Sequence, residues 1–148
     1  MVGRRLFGQD EHVAEQHEAG STPTGRCLCG GVWFTVSGPL RDVINCHCHR
    51  CRRWTGHHMA ATSAAVADLH LEGEDLLTWF HPDEHAAYGF CRACGSSLFW
   101  QASDEPERWS ICAGTLEPPT GLTTVEAWWV QNASDYHQRP DLPEHATE

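Results

Sequence analysis

The sequence predicts a mainly β fold, and three observations carry that expectation. Val32, Phe34 and Val36 alternate with Trp33, Thr35 and Ser37, the period of a strand with one buried face. No stretch repeats apolar residues at helical spacing long enough to make a sizeable amphipathic helix. Finally, Cys91-Arg92-Ala93-Cys94-Gly95 runs straight into Ser97-Leu98-Phe99-Trp100, a two-cysteine turn that opens a strand. With 148 residues the chain is most simply one domain, able to bury about 70% of its unfolded surface. Its Gly and Pro content and modest aliphatic content suit a β fold assisted by metal.

Taken in order, residues 1–22 are polar and charged and are expected to form a mobile tail, with a short helix over 10–17 as the alternative. His12 and His17 in that tail are expected to be solvated. The folded domain is expected over residues 23–137. Its first clear strand, 32–36, ends at Gly38-Pro39, and 42–46 reads as a second strand. Residues 49–55 suit a helical turn stopped by Gly56. Strands follow at 59–65 and 69–71, with Glu72-Gly73-Glu74-Asp75 as a turn. Leu77 and Trp79 pair with Tyr88 and Phe90 in a hairpin around His81-Pro82-Asp83, and 97–101, 109–113 and 124–130 complete the set. Residues 138–148, polar with two prolines, are expected to fray as a C-terminal tail.

The formal charge of −10 argues against a broad nucleic-acid surface, which needs clustered Lys and Arg. Arg50, Arg52 and Arg53 form one local basic patch. No apolar run reaches the roughly 20 residues of a membrane-spanning helix. Eight cysteines would suit disulfides only in an oxidising compartment. Arg4-Arg5-Leu6-Phe7 resembles the start of a twin-arginine signal, but residues 9–18 are polar where an apolar segment should follow. A cytoplasmic, metal-binding protein is therefore expected.

The thiols fall into two sets. Cys91 and Cys94 form a C-x2-C pair, with Gly95 free to take a positive φ. Cys27 and Cys29, at i and i+2 of a strand, lie on one face about 6.6 Å apart, and Gly30-Gly31 lets the chain turn after them. Together these four supply a closed structural zinc site, which in small zinc domains stabilises the fold by about 10–16 kcal/mol. Cys46, Cys48 and Cys51 lie within six residues and leave zinc one ligand short. Cys112, His57 or His58 could close that site, or an exchangeable ligand could occupy it, and the exchangeable ligand is favoured. His47 and His49 alternate with the thiols and are expected to point away. An open position would accept an incoming thiol as a thiolate. Arg50, Arg52 and Arg53 stand beside the cluster as candidates to hold a carboxylate of that molecule, Arg52 and then Arg53 being preferred, against the alternative of a solvated helical face for at least one of the three.

The series Gly25-x-Cys27-x-Cys29-Gly30, Cys46-His47-Cys48-x2-Cys51-Arg52, Phe90-Cys91-x2-Cys94-Gly95 and Ala113-Gly114-Thr115-Leu116 resembles the glutathione-dependent formaldehyde-activating enzyme family, which includes centromere-protein-V-like members. The likeness covers residues 25–130. It implies a β-tent-like zinc-binding fold of small antiparallel sheets. It also implies two zinc ions per chain: a structural one on Cys27, Cys29, Cys91 and Cys94, and a catalytic one on Cys46, Cys48 and Cys51. The implied reaction adds glutathione to formaldehyde, giving S-hydroxymethylglutathione, and is classed in reverse as a carbon–sulfur lyase. Ala87-Tyr88-Gly89 stands where members often carry a basic residue, and the motifs do not account for Trp128-Trp129. The competing expectation is a non-catalytic, zinc-stabilised module that binds a protein or a small thiol.

Overall fold

A computed structural model describes residues 22–147. The N-terminal tail expectation, with its optional helix over 10–17 and with His12 and His17, lies outside them. Among the described residues the fold is mainly β, as the alternation implied. The strands are β1 (Thr24–Arg26), β2 (Trp33–Val36), β3 (Val43–Cys46), β4 (Met59–Ala65), β5 (Leu69–Glu72), β6 (Leu77–Phe80), β7 (Ala86–Cys91), β8 (Ser97–Ala102), β9 (Arg108–Cys112) and β10 (Thr124–Trp128). The single α-helix among the described residues, α1 (His49–Thr55), is short and ends at Gly56 in the left-handed conformation, φ 81°, which glycine adopts at no steric cost.

Two sheets form. β1, β2 and β5 make a small antiparallel sheet in that order, and the rest make a seven-stranded sheet ordered β10-β3-β4-β9-β8-β7-β6. Antiparallel pairing prevails, but β10 runs parallel to β3. Val32, Phe34 and Val36 are fully buried, so the alternation did mark a strand with one inward face. They pack against Leu98, Phe99 and Ile111 of the larger sheet, and the rings of Phe34 and Phe99 meet edge to face at 5.1 Å. Cys27 and Cys91 lie in this same cluster, so one thiol group is built into the contact between the sheets. A second, smaller cluster around Cys51, Met59, Ala61 and Cys112 supports the other group.

Residues 138–147 depart from the frayed tail that their composition suggests. Ala127 donates its N–H to the Pro143 carbonyl (2.9 Å), His145 donates back to Ala127 (2.9 Å), and Val130 donates to His145 (3.1 Å). Arg139 pairs with Glu144 at 2.6 Å. Backbone hydrogen bonds to β10, which a composition argument cannot register, hold this polar segment in place. No helix among the described residues is long and apolar enough to cross a membrane.

Candidate functional site

The loop after β1, the end of β7 and the turn before β8 bring Cys27, Cys29, Cys91 and Cys94 together, their sulfurs all within 4.8 Å of one another. Cys27 and Cys29 occupy a tight turn rather than a strand, which draws their sulfurs to 3.5 Å. The Gly30 N–H closes the turn on the Cys27 carbonyl (3.0 Å), and the Val32 N–H donates to Cys27 Sγ (3.2 Å). Across from it Gly95, at φ 78°, sends its N–H back to the Cys91 carbonyl (2.7 Å), so the C-x2-C turn needs its glycine. Burial opposes ionisation of the Cys27 thiol, but hydrogen bonds from Val32, Cys29 and Cys91 outweigh it and lower its pKa. The Ser96 hydroxyl and N–H pull Cys94 down to about 5. Cys29 keeps its proton longer: the Gly31 N–H favours its thiolate, but the neighbouring sulfurs win and push it up to about 11.

The second group sits where β3 hands over to α1. Cys46 is the last residue of β3, flanked by Met59 of β4 on one side and Trp128 of β10 on the other. Cys48 caps α1, its Sγ accepting the Cys51 N–H at 3.3 Å. The three sulfurs lie within 4.8 Å of one another. Hydrogen bonds from Cys46 and Cys51 hold the Cys48 thiol down to about 2. That same contact with Cys48 lifts Cys46 to about 11. Cys51 is driven far up by its hydrogen bonds to Cys46 and Cys48 and by burial. Three sulfurs this close can all ionise only if a cation shares them, so the donor set fits a divalent ion that accepts soft ligands, such as zinc.

None of the protein groups considered for the fourth position joins this triplet among the described residues. Cys112 packs against Cys51, Met59 and Ala61 as a small apolar side chain, and burial pushes its thiol up to about 12. His57 and His58 gather with His137 instead, a grouping that spacing could not reveal because His137 is about 80 residues away. His47 turns from the sulfurs it separates and stacks near His58 and His137, while His49 borders the cavity described next.

Cys46, Cys48 and Cys51 line a cavity of about 320 Å³. Tyr88, Trp100, Trp128 and Trp129 give it aromatic walls, Ile44 and Met59 add aliphatic surface, and Arg41 and Arg50 bring positive charge. The Trp128-Trp129 pair thereby acquires a place. Burial, followed by the charges of Cys51 and Cys48, raises the Tyr88 phenol to about 12, so it remains a proton donor. Of the arginines singled out by position, Arg52 reaches Ser134 (3.3 Å) and Arg53 borders a separate groove beside Trp54 and Phe80. Arg50 is held at 2.6 Å by Asp83 while bordering both spaces. Arg41, half-buried, donates to Ser63 and to the Ala61 and Asp42 carbonyls. The basic patch is thus divided among separate partners.

Residues 22–132 match the model of a family described as glutathione-dependent formaldehyde-activating enzyme. The fold is also similar to a crystal structure of a Rhodobacter sphaeroides protein, with TM-score 0.56 and 31% sequence identity, over 66% of this chain and 91% of that one. No curated protein matches the chain.

Proposed function

We propose, because the chain belongs to the glutathione-dependent formaldehyde-activating enzyme family, that it adds a small thiol such as glutathione to an aldehyde at Cys46, Cys48 and Cys51, acting as a carbon–sulfur lyase in the reverse direction. The observation that carries this reading is the convergence of those three sulfurs on a partly open, mostly apolar cavity with no fourth protein donor among the described residues. Zinc held by the three thiolates would supply a position at which an incoming thiol loses its proton near neutral pH. A second zinc on Cys27, Cys29, Cys91 and Cys94 would be structural.

The protein's own residues then have distinct tasks. Sulfur attacks the carbonyl carbon, the C–S bond forms, the C=O π pair moves to oxygen, and that oxygen takes a proton to give the hydroxyl. Tyr88, protonated at any physiological pH and bordering the cavity, is placed to donate to that oxygen. The tryptophan walls make the cavity surface apolar and so disfavour water, which competes for the aldehyde as a hydrate. Arg50 and Arg41 are better placed than Arg52 or Arg53 to attract a carboxylate of the thiol, since they border the cavity. A cavity of about 320 Å³ greatly exceeds formaldehyde, and its aromatic lining suits an apolar substituent on the aldehyde or on the thiol.

Calorimetry of glutathione against zinc-loaded protein, with exchange NMR of a thiol–aldehyde mixture, tests the reading. Binding at millimolar concentration or below, with adduct exchange faster than in buffer, is expected. Binding without faster exchange would leave a thiol-binding module, and absence of both would overturn the proposal.

A further inference from the structure

Eleven histidines are many for this length, and the reaction above uses none of them. Three come together away from the sulfurs. His57 and His58 follow Gly56 at the end of α1, and His137 arrives after the 3₁₀ turn Val130–Asn132. Ring centroids are 4.3 Å apart for His57 and His58, 4.5 Å for His57 and His137, and 5.3 Å for His58 and His137. One ring nitrogen from each lies within 4.8 Å of the other two.

The surroundings of these rings differ from those of a solvated or ion-paired histidine. His58 Nδ1 and His137 Nε2 are buried and have no hydrogen-bond partner among the described residues. Native proteins rarely leave buried polar atoms unpaired, and an ion is one of the recognised explanations. No carboxylate pairs with any of the three rings among the described residues; the two His–carboxylate pairs there belong to His85 and His145. The Tyr136 hydroxyl meets His57 Nδ1 at 2.9 Å and fixes that ring, as outer partners commonly do for metal-binding imidazoles. His47 backs the group, 5.0 Å from His58 and 6.0 Å from His137.

We propose that His57, His58 and His137 form a third metal site, binding one divalent transition-metal ion of the zinc type through three imidazole nitrogens. Tetrahedral coordination at 2.0–2.1 Å needs nitrogens roughly 3.4 Å apart, so an ion would draw the three rings in from a spacing that is already within 4.8 Å. Burial first, and then the neighbouring imidazoles, lower the pKa of His58 to about 4, so it presents a lone pair rather than a proton at neutral pH. Three neutral nitrogens leave the ion its full double charge, whereas three thiolates leave a net charge of −1. This site is therefore the stronger Lewis acid and favours water over a soft thiol as its remaining ligand.

Cobalt(II) separates the two kinds of site, because thiolate ligands add intense sulfur-to-metal charge-transfer bands and imidazole ligands do not. Zinc-loaded protein is dialysed briefly against citrate, which clears weakly held ions, and is then titrated with Co²⁺. One further equivalent should bind, with weak visible bands and no sulfur charge transfer. His137→Gln should weaken this binding at least tenfold while leaving thiolate-bound zinc unchanged, and His58→Gln should do the same. His137 comes from the C-terminal segment, so its variant should keep the wild-type near-ultraviolet circular dichroism if His58→Gln does not fold. Failure of wild-type protein to take up the extra ion, sulfur charge transfer in its spectrum, or undiminished binding by His137→Gln would each overturn the proposal.

Discussion

The four-thiol group draws its sulfurs from segments 62 residues apart in sequence, as the contact of Cys29 with Cys91 shows, and two of its members lie within the main core. The three-thiol group takes all its sulfurs from one short segment at the start of α1 and faces a cavity. Closing a long loop removes more freedom from the unfolded chain than bridging neighbouring residues does. On the proposed reading, an ion in the first group would act on the fold, while an ion in the second would act on whatever enters the cavity. Similar ligand chemistry would then serve two purposes, and where the sulfurs come from in the chain would decide which.

The largest effect that this contrast predicts is on stability. Cys91→Ser removes a fully buried thiol from the group that joins the two sheets. It should lower Tm by about 20 °C or abolish soluble expression, as thermal denaturation would show. A small change would mean that the four sulfurs do not hold the sheets together.

Cys112 sharpens the comparison by asking whether a fourth sulfur closes the cavity group. Its thiol ionises near 9 in the unfolded chain and is raised to about 12 in the fold by burial. The raised value means that its contribution is complete below pH 9 and is lost as pH climbs from 9 towards 12, up to about 4 kcal/mol. Urea unfolding between pH 8 and 11 should show that loss, and Cys112→Ala should flatten it. A metal-bound thiolate at Cys112 would give no such slope.

Cys48→Ser should release the second ion and weaken thiol binding about a hundredfold, while Tm falls by less than about 5 °C. Metal analysis and calorimetry on the same preparation decide this. Equal destabilisation by Cys48→Ser and Cys91→Ser would erase the division between the groups.

The smallest expected effects distinguish the arginines. Arg50→Ala should weaken glutathione binding about fivefold and barely change Tm, since its pair with Asp83 is solvent-accessible and screened. Arg52→Ala should change binding less than twofold, because that guanidinium meets Ser134. The reverse order would return the anchoring role to Arg52.

Much of this was legible in the sequence because it is local. Alternation from Val32 to Val36 marked β2, and Gly56 marked the end of α1. Cysteine spacing brought out the two thiol sets, which geometry then drew together. What stayed hidden depends on contacts between distant segments. β1 is three residues long, too short to establish a period. The parallel pairing of β10 with β3 joins stretches about 80 residues apart, and no local pattern encodes it. His137 meets His57 and His58 across a similar separation, and only the high histidine count hinted at such a group. Arg50, Arg52 and Arg53 share a short stretch of helix, yet the fold directs them to different neighbours.

The C-terminal segment beside β10 has a consequence for how copies of the chain meet. β10 is the outermost strand at one end of the seven-stranded sheet, with β3 on its inner side. The parallel bridge between Ala127 and Glu144 occupies backbone groups that an uncovered outer strand would offer to another molecule. A chain cut after residue 138 would expose that margin without removing a core residue. Its expected failure is strand-to-strand self-association rather than unfolding, seen as light scattering that rises with protein concentration while Tm at high dilution holds.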